Sequence, residues 1–359
     1  MQKKKVLVGM SGGVDSSVAA AVLLEQGYEV VGATMQIWPD KEEKFETEEE
    51  RCCSLSAVED ARKVANTLGI DYYVLNLKDI FEEKVISYFK NEYLKGRTPN
   101  PCVACNRYIK FKTMLNKALS MGFDYIATGH YATVAYDSIS ERYLLKRSAT
   151  SKKDQTYALY NLSQSQLSRT LMPIGTFNKE QVREKALKIG MHIASKSDSQ
   201  EICFVSDNDY GRFIKENSNQ KIRPGKFIDT EGNVLGEHRG IVYYTVGQRK
   251  GLGIALGKPV YVIRVDAKNN TVILGSENDI FSNKLIAYDL NYISINGLKE
   301  PMRIKAKIRY SAPEADATLI PLEDGGVRVE FDVLQRAITP GQSVVFYQGD
   351  TVVGGGVIA

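Results

Sequence analysis

Three clusters of residues have the types and spacing that chemistry needs. The first is Ser11-Gly12-Gly13-Val14-Asp15-Ser16-Ser17, directly after the apolar run Val6–Met10. A strand, a glycine turn and a helix start present unpaired amides and the positive end of a helix dipole to an anion. The glycines admit close backbone approach, and Ser11, Ser16 and Ser17 add hydroxyls. Asp15 is an odd residue to aim at a phosphate unless Mg²⁺ stands between them. Neither the Gly-Lys-Ser/Thr of a Walker loop nor the spacing of a dinucleotide fingerprint is present. The plain alternative is a Ser/Asp cap after a glycine turn.

The second cluster is Arg97-Thr98-Pro99-Asn100-Pro101-Cys102-Val103-Ala104-Cys105-Asn106, ahead of a basic helix over Ile109–Met121. Two prolines stiffen the approach, and a helix start with Arg107 and Lys110 nearby favours thiolates. The third is Cys203, in Ser197-Asp198-Ser199-Gln200-Glu201-Ile202-Cys203. Three readings are open: half of a zinc site without its second pair, buried inert thiols, or sulfur chemistry between remote cysteines. Cys52-Cys53 follows the charged stretch Asp40–Arg51 and reads as structural.

The elements that must position these groups alternate over the first 130 residues. Helix patterns at Ser16–Gln26 and Ala57–Leu68 stop at glycines, and apolar strands run over Glu29–Met35, Tyr72–Leu77 and Tyr125–Thr128. That alternation predicts an α/β unit with a parallel sheet. Past Ser206 the chain turns to short strands punctuated by glycine, at Gly240–Val246, Val260–Val265 and Thr271–Leu274. Boundaries near 208 and 276 divide it into 1–208, a small β-rich unit 209–276, and a β-barrel 277–359.

Composition bounds the function. The 359 residues are 43% hydrophobic and 25% charged, with a net charge of +4, so neither a disordered nor a histone-like chain fits. Five cysteines, an odd and sparse number, point to reduced cytoplasmic thiols and not a disulfide framework. No apolar run approaches the roughly 18 residues of a membrane span. The small total charge hides a division. Residues 209–276 carry 11 bases against 6 acids, and residues 277–359 carry 8 against 11. In Met302–Tyr310 the cations Arg303, Lys305, Lys307 and Arg309 alternate with apolar residues, so a strand would place them on one face beside Tyr310. That is a phosphate-tracking stripe, or a solvated face balanced by acids.

The glycine-serine string resembles the loop of ATP-pyrophosphatases, which split ATP between its α and β phosphates. With the Pro-Asn-Pro-x-x-x-Cys-Asn string and the late cysteine, the chain resembles the tRNA-specific 2-thiouridylases. Thr128-Gly129-His130-Tyr131, Lys153-Asp154-Gln155-Thr156-Tyr157, Thr245–Gly253 and Ile338–Gln342 follow in that family's order. The resemblance implies adenylation and thiolation of the wobble uridine in tRNAs for Lys, Glu and Gln. Sulfur would arrive as a persulfide on Cys203 from a sulfur-relay or cysteine desulfurase protein. Cys105 would act as nucleophile or as disulfide partner. It further implies ATP contacts at Gly9, Met10, Ser11, Gly12, Gly13, Val14, Asp15, Ser16, Met35 and Gly129. Asn100, Pro101 and Cys102 would line the target base, and His130, Lys153, Asp154, Gln155, Arg309, Tyr310 and Gln342 would touch tRNA. Many relatives carry Asp where this chain has Cys102. With Cys105 and Cys203 it makes three thiolates, so a [4Fe-4S] cluster carrying sulfide is the alternative. Other classes are an ATP-pyrophosphatase synthetase acting on a small metabolite and a catalytically silent tRNA-binding protein.

Overall fold

The computed structural model describes residues 3–37, 55–194, 202–205, 207–218 and 220–359. The charged stretch Asp40–Arg51, Cys52-Cys53, and Ser197–Glu201 lie outside the described residues.

Five parallel strands form the first sheet, in the order Tyr72–Asn76, Glu29–Gln36, Lys5–Gly9, Tyr125–Thr128, Thr170–Leu171. Val6, Leu7 and Val8 are fully buried, as a central parallel strand covered on both faces requires. The chain leaves Lys5–Gly9 for one side of the sheet and later returns to the other. This makes a topological switch point at the carboxyl end of that strand, where open α/β sheets bind ligands. The loop 10–13, Met35 near the end of Glu29–Gln36, and Gly129 just after Tyr125–Thr128 all converge there.

The second sheet has the order Tyr261–Asp266, Thr271–Gly275, Gly225–Ile228, Val234–His238. The strand expected over Gly240–Val246 is instead a 3₁₀ turn, Ile241–Tyr243. Gly240 at φ 135° reverses the chain, and the amides of Tyr243 and Tyr244 bond back to Gly240 and Ile241, so no ladder is needed.

Six antiparallel strands close the barrel: Phe281–Tyr292, Val327–Arg336, Ala315–Pro321, Met302–Lys307, Ser343–Gln348 and Thr351–Ile358, which returns to the first. A hairpin from the α/β unit, Ala132–Asp137 with Arg142–Arg147, extends this sheet through Thr351 opposite Lys146. One apolar core runs through Phe89 and Phe111, Val242 of the middle unit, and Val345, Tyr347 and Val352 of the barrel. The barrel is therefore packed onto the α/β unit.

Candidate functional site

The helix Val14–Glu25 starts at Gly13 (φ −101°, ψ 162°) with no side-chain cap. Ser16 Oγ accepts from the Ser11 amide at 3.2 Å and donates to the Gly13 carbonyl at 3.1 Å. Ser17 Oγ donates to the same carbonyl at 2.9 Å. These hydroxyls shape the loop and leave the start of the helix to an incoming anion. Two glycines are dictated by space. A Cβ on Gly12 (φ 70°) would sit 2.4 Å from the Ala57 carbonyl oxygen, and one on Gly129 would sit 2.5 Å from the Ser16 amide nitrogen. Gly9 packs on Met114. Met10 is a scaffold residue. Its amide donates to Ala33 O (2.8 Å), its carbonyl accepts from Thr34 Oγ1 (2.7 Å), and its side chain is buried. Val14 is buried in the same apolar cluster as Met10, and Met35 is buried in a separate one.

Asp15 takes its partners from far along the chain. Lys179 Nζ lies 2.9 and 3.0 Å from its two carboxylate oxygens, and the Tyr131 hydroxyl donates to Oδ1 at 2.8 Å. Lys179 opens the helix Lys179–Lys188, which a capping box between Asn178 and Gln181 begins. A lysine in a first turn opposes the helix dipole. That mismatch is the signal that marks it as held by an acid elsewhere. Asp15 thus meets a protein cation. Among the described residues no group of three or more His, Cys, Asp or Glu side chains is placed to hold a metal. The donor set does not make a resident Mg²⁺ site.

Cys102 and Cys105 lie on a helix that begins eight residues before the predicted Ile109. The helical run is α over Pro101–Ala104, π over Cys105–Met114 and α over Leu115–Ser120. Asn100 Oδ1 caps it, accepting from the amides of Cys102 (3.1 Å) and Val103 (3.3 Å), with buried Pro101 in the first position. Cys102 is exposed, and Cys105 and Cys203 are half-buried. The last two pack on the same core cluster. Phe204 anchors Cys203 there, with ring centroids 5.2 Å from Phe89 and 5.4 Å from Phe213. Among the described residues these thiols do not form a ready-made metal group.

The stretch before the helix is strapped to both β units. Thr98 donates its amide to Pro340 O (2.8 Å) and accepts from Gln342 Nε2 (2.7 Å), while its hydroxyl is 3.2 Å from that of Thr245. Gln342 therefore braces the cysteine helix.

Other residues assigned to tRNA are likewise engaged internally. Asp154 is buried, accepts from Ser148 N (3.1 Å) and Thr156 Oγ1 (2.6 Å), and faces Arg147 at 3.8 Å. Gln155 Oε1 accepts from the Tyr131 amide at 2.8 Å. Arg309 donates to the carbonyls of Arg336 and Ala337. His130 Nε2 lies 3.4 Å from Lys110 Nζ, and its Nδ1 lies 2.8 Å from Thr128 Oγ1. Burial first, then Lys110, hold its pKa well below the ordinary 6.5, so it is neutral. Lys110 only donates, so Nε2 accepts and Nδ1–H donates to Thr128.

Tyr310 is 48% exposed, edge-on to Tyr157 and under Lys307 Nζ at 5.6 Å. Burial raises its phenol pKa, Asp154 adds to this, and the charges of Lys153 and Cys102 also reach it. Tyr310 thus lies within electrostatic reach of Asp154, Lys153 and Cys102.

The four-cation stripe is corrected. The strand ends at Lys307, Arg303 pairs with Asp332 (2.8 and 2.7 Å), and Lys305 pairs with Asp316 (3.4 Å). The acids of the barrel neutralise that face. In the middle unit, Arg249 and Lys258 border an open hollow of about 470 Å³.

Comparison with known proteins agrees with this geometry. Family models match in succession: a tRNA methyl transferase HUP domain over 4–207, a tRNA methyl transferase PRC-barrel domain over 211–276, and an aminomethyltransferase β-barrel domain over 282–358. The chain is 72% identical to a tRNA-specific 2-thiouridylase of Acetivibrio thermocellus, over 100% of both chains. It is 61% identical to one from Caldanaerobacter subterraneus, over 100% of this chain and 99% of the other. A solved 4-thiouridine synthetase–RNA complex with bound ATP is 20% identical, with a TM-score of 0.36 over 56% of this chain and 45% of its own. A glycine-serine loop at the switch point, a cysteine helix strapped to two β units and full-length relatives of one name lead to one assignment: the chain belongs to the tRNA-specific 2-thiouridylase family.

Proposed function

We propose that the chain converts the wobble uridine of tRNAs for Lys, Glu and Gln to 2-thiouridine, with MgATP as co-substrate. The carrying observation is the close approach of Gly129, just after the strand Tyr125–Thr128, to the first-turn amide of Ser16 at an uncapped helix start. The α-phosphate of ATP is attacked there by uridine O2. Pyrophosphate leaves, and N3 loses its proton. Mg²⁺ enters with the nucleotide phosphates as part of the substrate.

Sulfur arrives as a persulfide on Cys203 from a sulfur-relay or desulfurase protein. Cys105 attacks the inner sulfur of that persulfide. A Cys105–Cys203 disulfide forms and hydrosulfide leaves. Hydrosulfide adds at C2, AMP departs with the oxygen, and N3 regains a proton. The half-buried setting of both cysteines supports this order, because it shields a reactive sulfur from water. The target base must leave its stack to reach the face of Cys102, Lys153 and Tyr310. Units 1–208, 209–276 and 277–359 divide the work into catalysis, a basic tRNA-binding hollow and a brace.

The test is a thiolation assay on unmodified tRNA with MgATP and a persulfide donor. Product is expected from the native chain and none from Cys105→Ala. Thiolation by Cys105→Ala would reject the assignment.

A further inference from the structure

The proposed sulfur delivery leaves a disulfide between two half-buried cysteines, and the next cycle needs both as thiols. Two facts bear on how they are recovered. Cys102 is exposed, while Cys105 and Cys203 pack against an aromatic core that hinders a bulky reductant. Cys102 and Cys105 also stand one helical turn apart. The Cys105 amide bonds to the carbonyls of Pro101 and Cys102, which fixes that turn. Helix geometry places their Cα atoms about 5 Å apart. That lies inside the roughly 4.4–6.8 Å window in which a disulfide forms without backbone movement. Residues three apart share a helix face, so both thiols look the same way.

We propose that Cys102 is the resolving cysteine of the reaction, an assignment that rests on the sulfur-delivery reading above. The Cys102 thiolate attacks Sγ of Cys105 in the Cys105–Cys203 disulfide. The Cys102–Cys105 bond forms as the Cys105–Cys203 bond breaks. The electron pair goes to Cys203, which takes up a proton. One disulfide replaces another, with no net oxidation. The new disulfide has one exposed sulfur, and a dithiol reductant from solution opens it by two-electron exchange, itself becoming a disulfide. An Asp at position 102 could not take this role, so the proposal gives the cysteine a chemical purpose of its own.

The experiment uses the full chain, loaded with persulfide on Cys203 by polysulfide. It is mixed with unmodified tRNA and MgATP without reductant, acid-quenched, alkylated and mapped by peptide mass spectrometry. The native chain should end a single turnover with a Cys102–Cys105 disulfide and an alkylated Cys203. Cys102→Ser should stop at Cys105–Cys203, and its repeated turnover with dilute dithiothreitol should be at least tenfold slower. A native chain that retains Cys105–Cys203, or a Cys102→Ser chain that turns over at the native rate, would overturn the proposal. If Cys102→Ser makes 2-thiouridine with no disulfide on Cys203, the delivery reading fails along with it. A Cys105–Cys203 bond in that variant keeps the reading whatever becomes of Cys102.

Discussion

Asp15 sits where the proposed phosphate-binding loop should have no negative charge, and Lys179 resolves that conflict by holding both of its carboxylate oxygens. The pair is partly screened, with 15% of the lysine side chain and 28% of the aspartate side chain exposed. In the proposed nucleotide site, Lys179→Met removes the cation and leaves the carboxylate facing the phosphates. The KM for ATP is expected to rise roughly tenfold or more, the scale of a lost charge-assisted bond. Steady-state kinetics with tRNA saturating checks it, and an unchanged KM would remove Lys179 from the nucleotide site. The sequence alone pointed to Ser11, Gly12 and Gly13 because glycine and serine after a strand carry a local signal. It did not point to Lys179 or Tyr131, whose acid partner is more than 100 residues away.

At the scale of the element, the cysteine helix is held by its cap. Asn100 accepts two first-turn amides, and Pro101 suits the first helical position. Asn100→Ala should cost about 1 kcal/mol, while Asn100→Asp keeps the acceptor and most of the stability. Thermal melts of the two variants compare them, and equal melting temperatures for Ala and the native chain would contradict the cap. The barrel strand Met302–Lys307 teaches the opposite lesson. Alternation in the sequence correctly set its cations on one face, but Asp316 comes from the adjacent strand and Asp332 from the strand beyond it. Pairing with tRNA phosphates should therefore fall to the middle unit. Arg249→Ala with Lys258→Ala should reduce the salt dependence of tRNA binding by about two phosphate contacts, whereas Arg303→Ala should leave the slope unchanged. Binding measured from 50 to 300 mM salt, on the order of a sixfold range, separates the two faces.

Across the whole molecule, the strap at Thr98 and the shared core tie three units to one helix, so acid damage in one β unit should reach the site. His238 of the middle unit is buried between Phe227 and Tyr244. It donates from Nε2 to Asn270 O at 3.2 Å and accepts from the Gly240 amide at 3.1 Å. Burial lowers its pKa below the ordinary 6.5, against a smaller opposing effect of the Asn270 carbonyl. The neutral ring is the folded form. The unfolded chain takes up a proton near pH 6.5 before the folded chain does. The stability from this residue is therefore full above that pH and is lost as the pH falls through the folded value. Neutral His130 acts in the same direction. Denaturation midpoints should be flat above pH 7 and decline below about 6.5, and His238→Gln should flatten the decline. A native chain equally stable at pH 5.5 and 7.5 would contradict this.

What the sequence determined by itself was local. Four of the five parallel strands read as short apolar runs, the proposed phosphate loop is a strand–glycine–helix string, and Cys102 and Cys105 follow a proline-stiffened capping asparagine. Each of these signals is local in the chain, the longest of them running from Val6 to Ser17. Tertiary structure decided which charges are neutralised, because that depends on acids brought in from other strands and helices. It also decided that Gln342, Arg309 and Asp154 bond inside the protein, and that the hairpin Ala132–Arg147 joins the barrel sheet. Hydrogen bonds and ion pairs act over about 3 Å of space, and sequence spacing carries no record of which distant groups a fold brings that close.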